Sequence, residues 1–325
     1  MNIVGIVGSI DNDFCGTDMT IGADSALHRI IESVDAISTT ALSHQRCFIL
    51  EVMGRNCGYL ALLAGLASEA DFVLVPENPP EEGWEEKMCK RMRYHRDHGH
   101  RLNIIIVAEG AIDQKGNPIT PDYLKEVIVE KINIDTRVTI LGHVQRGGNA
   151  SAYDRVLGAR MGSEAVLALM KAKSDSPAQV VAVNGNKTCL VNLMESVERT
   201  QNVAKAIKNR DFKKAAELRG FTFQRNLDTF LKLSKLQPKV LEGSVEEANR
   251  GSEYVLAVMN IGAPACGVNS AIRSFVRYSS IRSSKIKVLG IQDGFEGLMN
   301  NDVKELDWKN VFGIINSKLF LIVRI

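Results

Sequence analysis

The sequence lacks the features that mark several large classes of protein. Its six cysteines lie far apart with no Cys-x-x-Cys pair, which argues against a zinc module and favours reduced thiols over disulfides. Its longest apolar runs fall far short of the ~20 residues that span a bilayer, and its first residues lack the basic leader and cleavage site of a signal peptide. Forty basic and 38 acidic residues give a net charge of +2 without a long basic block, so neither nucleic acid nor a membrane surface is an expected partner. We predict a cytoplasmic protein whose partners are small molecules or other protein chains.

What the sequence does contain is an alternation of short apolar segments with longer helical patterns. Strands are predicted at 3–7, 46–53, 71–76, 102–110, 137–142 and 179–183. Helices are predicted at 17–43, 58–70, 83–98, 121–132 and 151–172. Uninterrupted apolar strands separated by helices indicate a parallel sheet that is covered on both faces. The predicted fold class is therefore α/β.

The pattern changes along the chain and predicts three parts. Residues 1–236 form the first module, which ends in charged helices, and the polar stretch 237–252 is typical of a linker. A new apolar strand at 254–260, a glycine-containing turn that opens a helix, and another strand at 285–292 then begin a second α/β unit. We expect 253–325 to be the truncated start of this unit.

Polar clusters follow four of the predicted strands. They read GSIDND, MGRNCG, EGAID and GHVQRGG. Because open parallel sheets bind ligands beyond the carboxyl ends of their strands, we expect the four clusters to converge on one edge of one sheet.

The first cluster, GSIDND at 8–13, carries two carboxylates. A carboxylate in this position can act as a general base on a substrate hydroxyl, or it can cap the following helix. Gly16 and Thr17 already offer a turn and an N-cap before the predicted helix. This favours a functional role for Asp11 and Asp13.

The other clusters carry cations and a further carboxylate. Arg55 lies in a glycine-bracketed loop before a helix N-terminus, an arrangement suited to phosphate, although it could equally satisfy a surface carbonyl. His143 and Arg146 stand beside two glycines that would allow a close approach of a ligand, whereas a lone histidine is more often buried and satisfied. Glu109 could bind sugar hydroxyls or pair with an arginine.

Three further histidines, His95, His98 and His100, lie in the polar stretch RYHRDHGHR. This stretch is more typical of a solvated helix end than of a metal site. Taken together, one carboxylate base, several cations and one reader of hydroxyl groups indicate a phosphosugar site, and a kinase reaction suits it.

Five segments in this order, GSIDND, SHQR, VMGRNCGYLAL, VAEGAID and DTRVTILGHVQRGG, closely resemble the N-terminal catalytic half of eukaryotic ATP-dependent 6-phosphofructokinases. VMNIGAPACGVNSAIRSFVR and GIQDGFEGL resemble the start of that family's C-terminal regulatory half. The resemblance implies an incomplete phosphofructokinase-like fold, in an allosteric enzyme that transfers the ATP γ-phosphoryl group to the 1-hydroxyl of fructose 6-phosphate in glycolysis. Gly8 resembles the ATP-dependent branch, since pyrophosphate-dependent relatives tend to carry lysine there.

The same resemblance implies a role for each matching residue. Asp11 would be the proton acceptor, and Arg55 would steady the developing charge. The implied substrate-binding residues are Ser9, Ile10, Asp11, Asp13, Met53, Gly54, Arg55, Glu109, His143, Val144, Gln145 and Arg146. Arg46 and Arg137 would reach into the site of a neighbouring subunit, which implies a homo-oligomer, and the family suggests a tetramer.

The sequence also departs from the family. The Gly-Gly-Asp turn and the Gly-Asp-Gly-Ser loop that serve ATP and magnesium should precede GSIDND, and this sequence does not contain them there. The resemblance thus implies ATP and Mg²⁺ while assigning no metal ligand. The alternative hypothesis is a catalytically silent fragment that binds sugar phosphate or associates with full-length subunits.

Overall fold

The computed structural model describes residues 2–97, 99, 102–234, 254–262, 265–283, 285–315 and 322. The chain divides into two compact units, Met1–Leu66 with Ala70–Asp228, and Ala67–Glu69 with Thr229–Ile325. The predicted linker at 237–252 lies outside the described residues, so the predicted module boundaries stay predictions. No described helix is both long and apolar enough to cross a membrane.

The helices and strands alternate through most of the chain. In order they are β1 (Val4–Ile6), α1 (Ala23–His44), β2 (Cys47–Val52), α2 (Tyr59–Ser68), β3 (Phe72–Leu74), α3 (Trp84–Asp97), β4 (Asn103–Ala108), α4 (Pro121–Ile132), β5 (Thr136–Ile140), a 3₁₀ helix (Gly142–Arg146), α5 (Ala152–Lys171), β6 (Gln179–Asn184), β7 (Lys187–Asn192), α6 (Leu193–Lys208), α7 (Phe212–Arg219) and α8 (Phe221–Leu233). They continue with β8 (Val255–Met259), α9 (Val268–Arg282), β9 (Lys287–Ile291), α10 (Gly294–Met299) and β10 (Val303–Glu305).

The main sheet of the first unit has the strand order β3-β4-β2-β5, and all its pairs are parallel. Every residue of β4 is buried. Successive side chains of a strand point to opposite faces, so burial of the whole strand means that both faces of the sheet are covered. On one face, Ile105 and Val107 pack with Met88 and Met92 of α3 and with Ile128 of α4. The predicted α/β class with a parallel sheet is confirmed.

A second sheet in this unit corrects the expectation of a single one. β1 pairs in parallel with β6, and β6 forms an antiparallel hairpin with β7. The hairpin turns through Gly185, whose φ of 59° falls in the left-handed region that glycine adopts without steric cost. The sequence did not predict β7, because Lys187–Asn192 mixes polar and apolar residues and is only partly buried.

Helix α1 begins at Ala23 rather than at residue 17. Thr17 is not its N-cap. The Thr17 hydroxyl instead accepts a hydrogen bond from the backbone N–H of Val183 and donates one to the carbonyl of Met19. The preceding residues form an ordered loop, closed where the N–H of Ser9 donates to the carbonyl of Ile21.

The second unit agrees with its sequence pattern. β8 and β9 are parallel, and β10 adds to β9 in antiparallel fashion. Ile272 and Val276 of α9 pack against Val288 and Leu306. The predicted strands and the intervening helix are therefore found, whereas α10 and β10 were not predicted.

Candidate functional site

The carboxylate loop, residues 8–13, follows β1 and is organised by Asn12. Asn12 has a left-handed φ of 50°, which asparagine tolerates better than most residues. Its side-chain amide donates to the carbonyl of Asp18, while its Oδ1 accepts from both the N–H and the hydroxyl of Thr20. Asn12 is thus the residue of the sequence Asp-Asn-Asp that holds the loop in its conformation. Its two neighbours, Asp11 and Asp13, do not cap a helix.

The two carboxylates have different surroundings. Asp13 accepts a hydrogen bond of 2.7 Å from the hydroxyl of Ser9. Asp11 carries a buried Oδ1 that accepts no hydrogen bond from the described residues. Burial raises the pKa of Asp11, and the nearby charges of Asp13 and Glu109 raise it further, against the lowering effects of Arg146 and Arg219. Such a carboxylate is a stronger base than an exposed one.

The arginine loop, residues 53–58, follows β2. Arg55 projects from it with a side chain that is 80% exposed. Its guanidinium donates to Oε1 of Glu109, at 3.1 Å from Nη2 and 3.3 Å from Nε. Pairing with an arginine was one of the two roles that the sequence left open for Glu109, and the structure contains this ion pair. It joins the loop after β2 to the loop after β4.

Gln145 connects the 3₁₀ helix after β5 to the arginine loop. Its Oε1 accepts a 3.0 Å hydrogen bond from the N–H of Met53, and its Nε2 donates to the carbonyl of Gly142. Gln145 is only 2% exposed, so it supports the backbone. By contrast, the other side chains of this 3₁₀ helix are exposed and do not support the backbone in this way: His143, Val144 and Arg146.

The four polar clusters consequently meet, as expected, although they follow strands of two different sheets. Hydrogen bonds link the loops after β2, β4 and β5. The carboxylate loop after β1 joins them, since Asp11 lies within electrostatic reach of Glu109 and Arg146.

Arg46 and Arg137 lie at the other end of the main sheet, where β2 and β5 begin. Both contact Asp135, with Nε of Arg46 at 2.6 Å and Nη2 of Arg137 at 3.4 Å from its Oδ2. The hydrogen bond from Arg46 is the largest influence that lowers the pKa of Asp135. Within one chain, the structure does not bring these two arginines to the polar loops.

Two residues of the site were not predicted from the sequence. Arg219, at the end of α7, pairs with Glu77, which follows β3, at 2.9 Å. The guanidinium also donates to the backbone carbonyls of Asp13 and Asn56. Nothing in the local sequence marks either residue, because Arg219 belongs to a charged helical stretch and its partners are distant along the chain.

The histidine stretch behaves differently from its prediction as a solvated helix end. His95 is 2% exposed, and its Nδ1 lies 2.7 Å from Oδ1 of Asp71. The prediction was wrong for His95, since the end of α3 packs against the start of β3 instead of facing water. His98 and His100 lie outside the described residues.

The described part of the chain contains no group of three or more His, Cys, Asp or Glu side chains arranged to hold a metal ion. Asp11 and Asp13 by themselves supply only part of the octahedral oxygen shell of Mg²⁺, whose other ligands in phosphoryl-transfer sites are waters and substrate phosphates.

The fold and the loops together define an α/β protein with a parallel sheet and a mixed site of carboxylates and cations at the carboxyl ends of its strands. The chain belongs to the phosphofructokinase family, whose model matches residues 1–169 and 255–319. This confirms the family to which the sequence motifs pointed.

Individual relatives and structures agree with this assignment. The chain is 57% identical over 316 residues to an ATP-dependent 6-phosphofructokinase of Schistosoma mansoni and 54% identical over 313 residues to the muscle type of Canis lupus familiaris. These matches cover 96% of this chain but 40% and 39% of the relatives, so the chain spans about two fifths of their length. Phosphofructokinase from Saccharomyces cerevisiae superposes with a TM-score of 0.88 at 43% identity, over 96% of this chain and 41% of that one.

Proposed function

We propose that this chain acts as a 6-phosphofructokinase, which transfers the ATP γ-phosphoryl group to the 1-hydroxyl of fructose 6-phosphate. The observation that carries the proposal is the Asp11 carboxylate, whose buried Oδ1 accepts no hydrogen bond from the described residues while cations of neighbouring loops lie within electrostatic reach. The names of the similar proteins support the choice of substrate.

In this proposal Asp11 removes the proton of the sugar hydroxyl as the oxygen attacks phosphorus. A raised pKa makes a carboxylate a stronger base, because its ionised form then binds a proton more tightly. Burial is the main cause of that raised pKa. Ser9 and Ile10 flank the reacting end of the sugar, and Asp13 supports the loop through its hydrogen bond with Ser9.

The cationic side chains of the site have two different roles. Arg55, on the arginine loop with Met53 and Gly54, steadies negative charge that develops during the transfer. His143 and Arg146, exposed on the 3₁₀ helix, bind the 6-phosphate, for which the arginine fork is well shaped.

Glu109 completes the sugar site by accepting hydrogen bonds from sugar hydroxyls. It already faces Arg55 at 3.1 Å, so the same carboxylate can orient this arginine beside the substrate. Val144 and Gln145 complete the lining, with Gln145 fixing the backbone of Met53.

We further propose that the enzyme is a cytoplasmic homo-oligomer, a tetramer by analogy with the family. Arg46 and Arg137 would then bind substrate in a neighbouring subunit's site. Their position at the opposite end of the sheet from the polar loops supports this, since neither can serve the site of its own chain.

The proposal is tested by assaying the purified chain for fructose 1,6-bisphosphate formation from fructose 6-phosphate and magnesium ATP. Asp11→Asn should lower kcat by about 10² to 10⁴, the contribution typical of a general base. Asp175→Asn, which alters an exposed carboxylate after α5, is the matched control and should leave the rate unchanged.

Calorimetry with fructose 6-phosphate separates binding from turnover. Binding without Asp11-dependent turnover would overturn the phosphoryl-transfer proposal and leave only sugar-phosphate binding. A full rate in Asp11→Asn would overturn the assignment of the base.

A further inference from the structure

Arg219 connects segments that lie far apart in the sequence. Its side chain is 4% exposed and donates in three directions. Nη1 donates to the carbonyl of Asp13 at 2.7 Å, Nη2 to the carbonyl of Asn56, and Nε to Oε1 of Glu77 at 2.9 Å. One guanidinium therefore contacts the carboxylate loop, the arginine loop and the segment that follows β3.

Glu77 fixes the orientation of this guanidinium. Its side chain is completely buried, and its two carboxylate oxygens accept from the N–H of Gly58 at 2.9 and 3.2 Å. The hydrogen bonds to Gly58 anchor Glu77 at the end of the arginine loop. A buried carboxylate held in this way leaves a planar, forked partner few alternative orientations.

The contacts have a direct consequence for the base. The carbonyl of Asp13 is two residues from Asp11, and Asn56 directly follows Arg55. A buried arginine that binds both of these backbone carbonyls fixes the separation of the two loops at the point where the reacting groups emerge.

We propose that Arg219, oriented by Glu77, is a positioning residue that holds the carboxylate loop and the arginine loop at their working separation. The proposal rests on the proposed function, because it assigns Arg219 to the same site. Arg219 acts through the backbone of the two loops and through its charge, and it does not touch the substrate.

The charges around Asp11 indicate how loss of the positive charge of Arg219 would change the pKa of Asp11. Asp13, Glu109, Arg146 and Arg219 lie within electrostatic reach of Asp11, and the two arginines lower its pKa. Near Arg219 itself lie Glu77 and the thiols of Cys15 and Cys57. Burial raises the pKa of the Cys57 thiol well above its usual range, so that thiol stays neutral near pH 7.

The test compares Arg219→Met, Arg219→Lys and the control Arg199→Met in the full chain. Arg199 also donates to the end of α7, at 2.8 Å to the carbonyl of Leu218, but it contacts neither loop. We expect Arg219→Met to lower kcat/KM by about 10²-fold, the effect of a misplacement of about 1 Å, and to move the acid limb of the pH profile to higher pH.

Arg219→Lys separates charge from geometry. It keeps the positive charge, so the midpoint of the acid limb should stay close to that of the parent chain, but a lysine cannot reproduce the fork, so kcat/KM should still fall. Arg199→Met should change neither quantity. If Arg219→Lys and Arg219→Met both retain the parental kcat/KM, the proposal is overturned.

Two readouts do not depend on turnover and keep the test distinct from that of the proposed function. Carbon-13 NMR should place the titration midpoint of Asp11 at higher pH in Arg219→Met, and hydrogen exchange should accelerate in residues 8–13 and 53–58. Unchanged titration and exchange would overturn the proposal even if the parent chain shows no activity.

If Arg219→Met alone fails to fold because Glu77 is left buried without its partner, the double variant Glu77→Gln/Arg219→Met removes both charges together. It should show the same faster exchange in the two loops. Parental exchange rates in the folded double variant would overturn the proposal.

Discussion

Gly110 and Arg55 approach each other so closely that a Cβ atom on Gly110 would lie 1.8 Å from the carbonyl oxygen of Arg55. Heavy atoms that are not bonded to each other do not approach this closely, so only glycine fits at position 110. Gly110 follows Glu109 directly. The absence of a side chain there is what lets the loop after β4 lie against the arginine loop and lets Glu109 reach Arg55.

This contact leads to the first prediction. Gly110→Ala should displace the arginine loop, lower kcat/KM for fructose 6-phosphate and destabilise the fold by about 1–3 kcal/mol, as overpacking does. Steady-state kinetics and urea unfolding measure the two effects. Gly162→Ala is the control, because a Cβ at this site in α5 meets nothing within 4 Å and alanine favours a helix over glycine by about 1 kcal/mol. Equal stability of the two variants would contradict the prediction.

A second prediction concerns the stability cost of Asp11, the proposed base. The pKa of Asp11 is raised in the folded chain, mainly by burial, so the ionised carboxylate opposes folding at neutral pH. Asp11→Asn should therefore raise the melting temperature at pH 7. This advantage should shrink as the pH falls through the folded pKa of Asp11 and the parent carboxyl takes up its proton. Thermal unfolding from pH 7 to pH 4 checks the trend, and a lower melting temperature for Asp11→Asn at pH 7 would be contrary to it.

A third prediction concerns the proposed sharing of sites between subunits. Asp11→Asn lacks the proposed base, and Arg137→Ala lacks the arginine proposed to bind substrate in the neighbouring subunit. If sites are shared, dissociating and reassembling a mixture of the two inactive variants should restore part of the activity, since some sites then combine an intact Asp11 with an intact Arg137. Each variant reassembled alone is the control. A mixture as inactive as its components would exclude the shared site.

A fourth prediction uses the buried pair of Asp71 and His95. Burial on its own would raise the pKa of Asp71, but the hydrogen bond and charge of His95 outweigh it, with help from Arg91 and Asn103, and the pKa is lowered. The ionised carboxylate thus stabilises the fold at neutral pH, and this contribution is lost as the pH falls below the unfolded value of about 3.9 and through the lower folded one.

Asp71→Asn should accordingly cost about 3 kcal/mol at pH 7, as breaking a buried pair does. The difference in the free energy of unfolding between Asp71→Asn and the parent chain should become smaller at acidic pH. Urea unfolding at several pH values measures it. Asp135→Asn, which alters an exposed carboxylate paired with Arg46, should cost much less, and an equal cost for both variants would refute the role of burial.

Much of the fold was predictable because it depends on local patterns. The apolar strands and the long helices fall close to their predicted ranges, and residues 104–108 of β4 form an uninterrupted apolar run because both faces of this strand are covered. Where the local signal is weak, prediction failed. β7 mixes polar and apolar residues, and the start of α1 was placed six residues early because a threonine suited to capping lies there without acting as a cap.

The sequence by itself determined the α/β class, the glycine-bearing loops after the strands and the family, because each of these is encoded in contiguous residues. Only the tertiary structure decided which loops meet and what holds them. The division of the strands into two sheets depends on pairing between distant segments, and so does the placement of Asp11 beside Glu109 and Arg146. The buried pair of Glu77 and Arg219 has no local signature, since residues 142 positions apart acquire their common role only when the folded chain removes both charges from water.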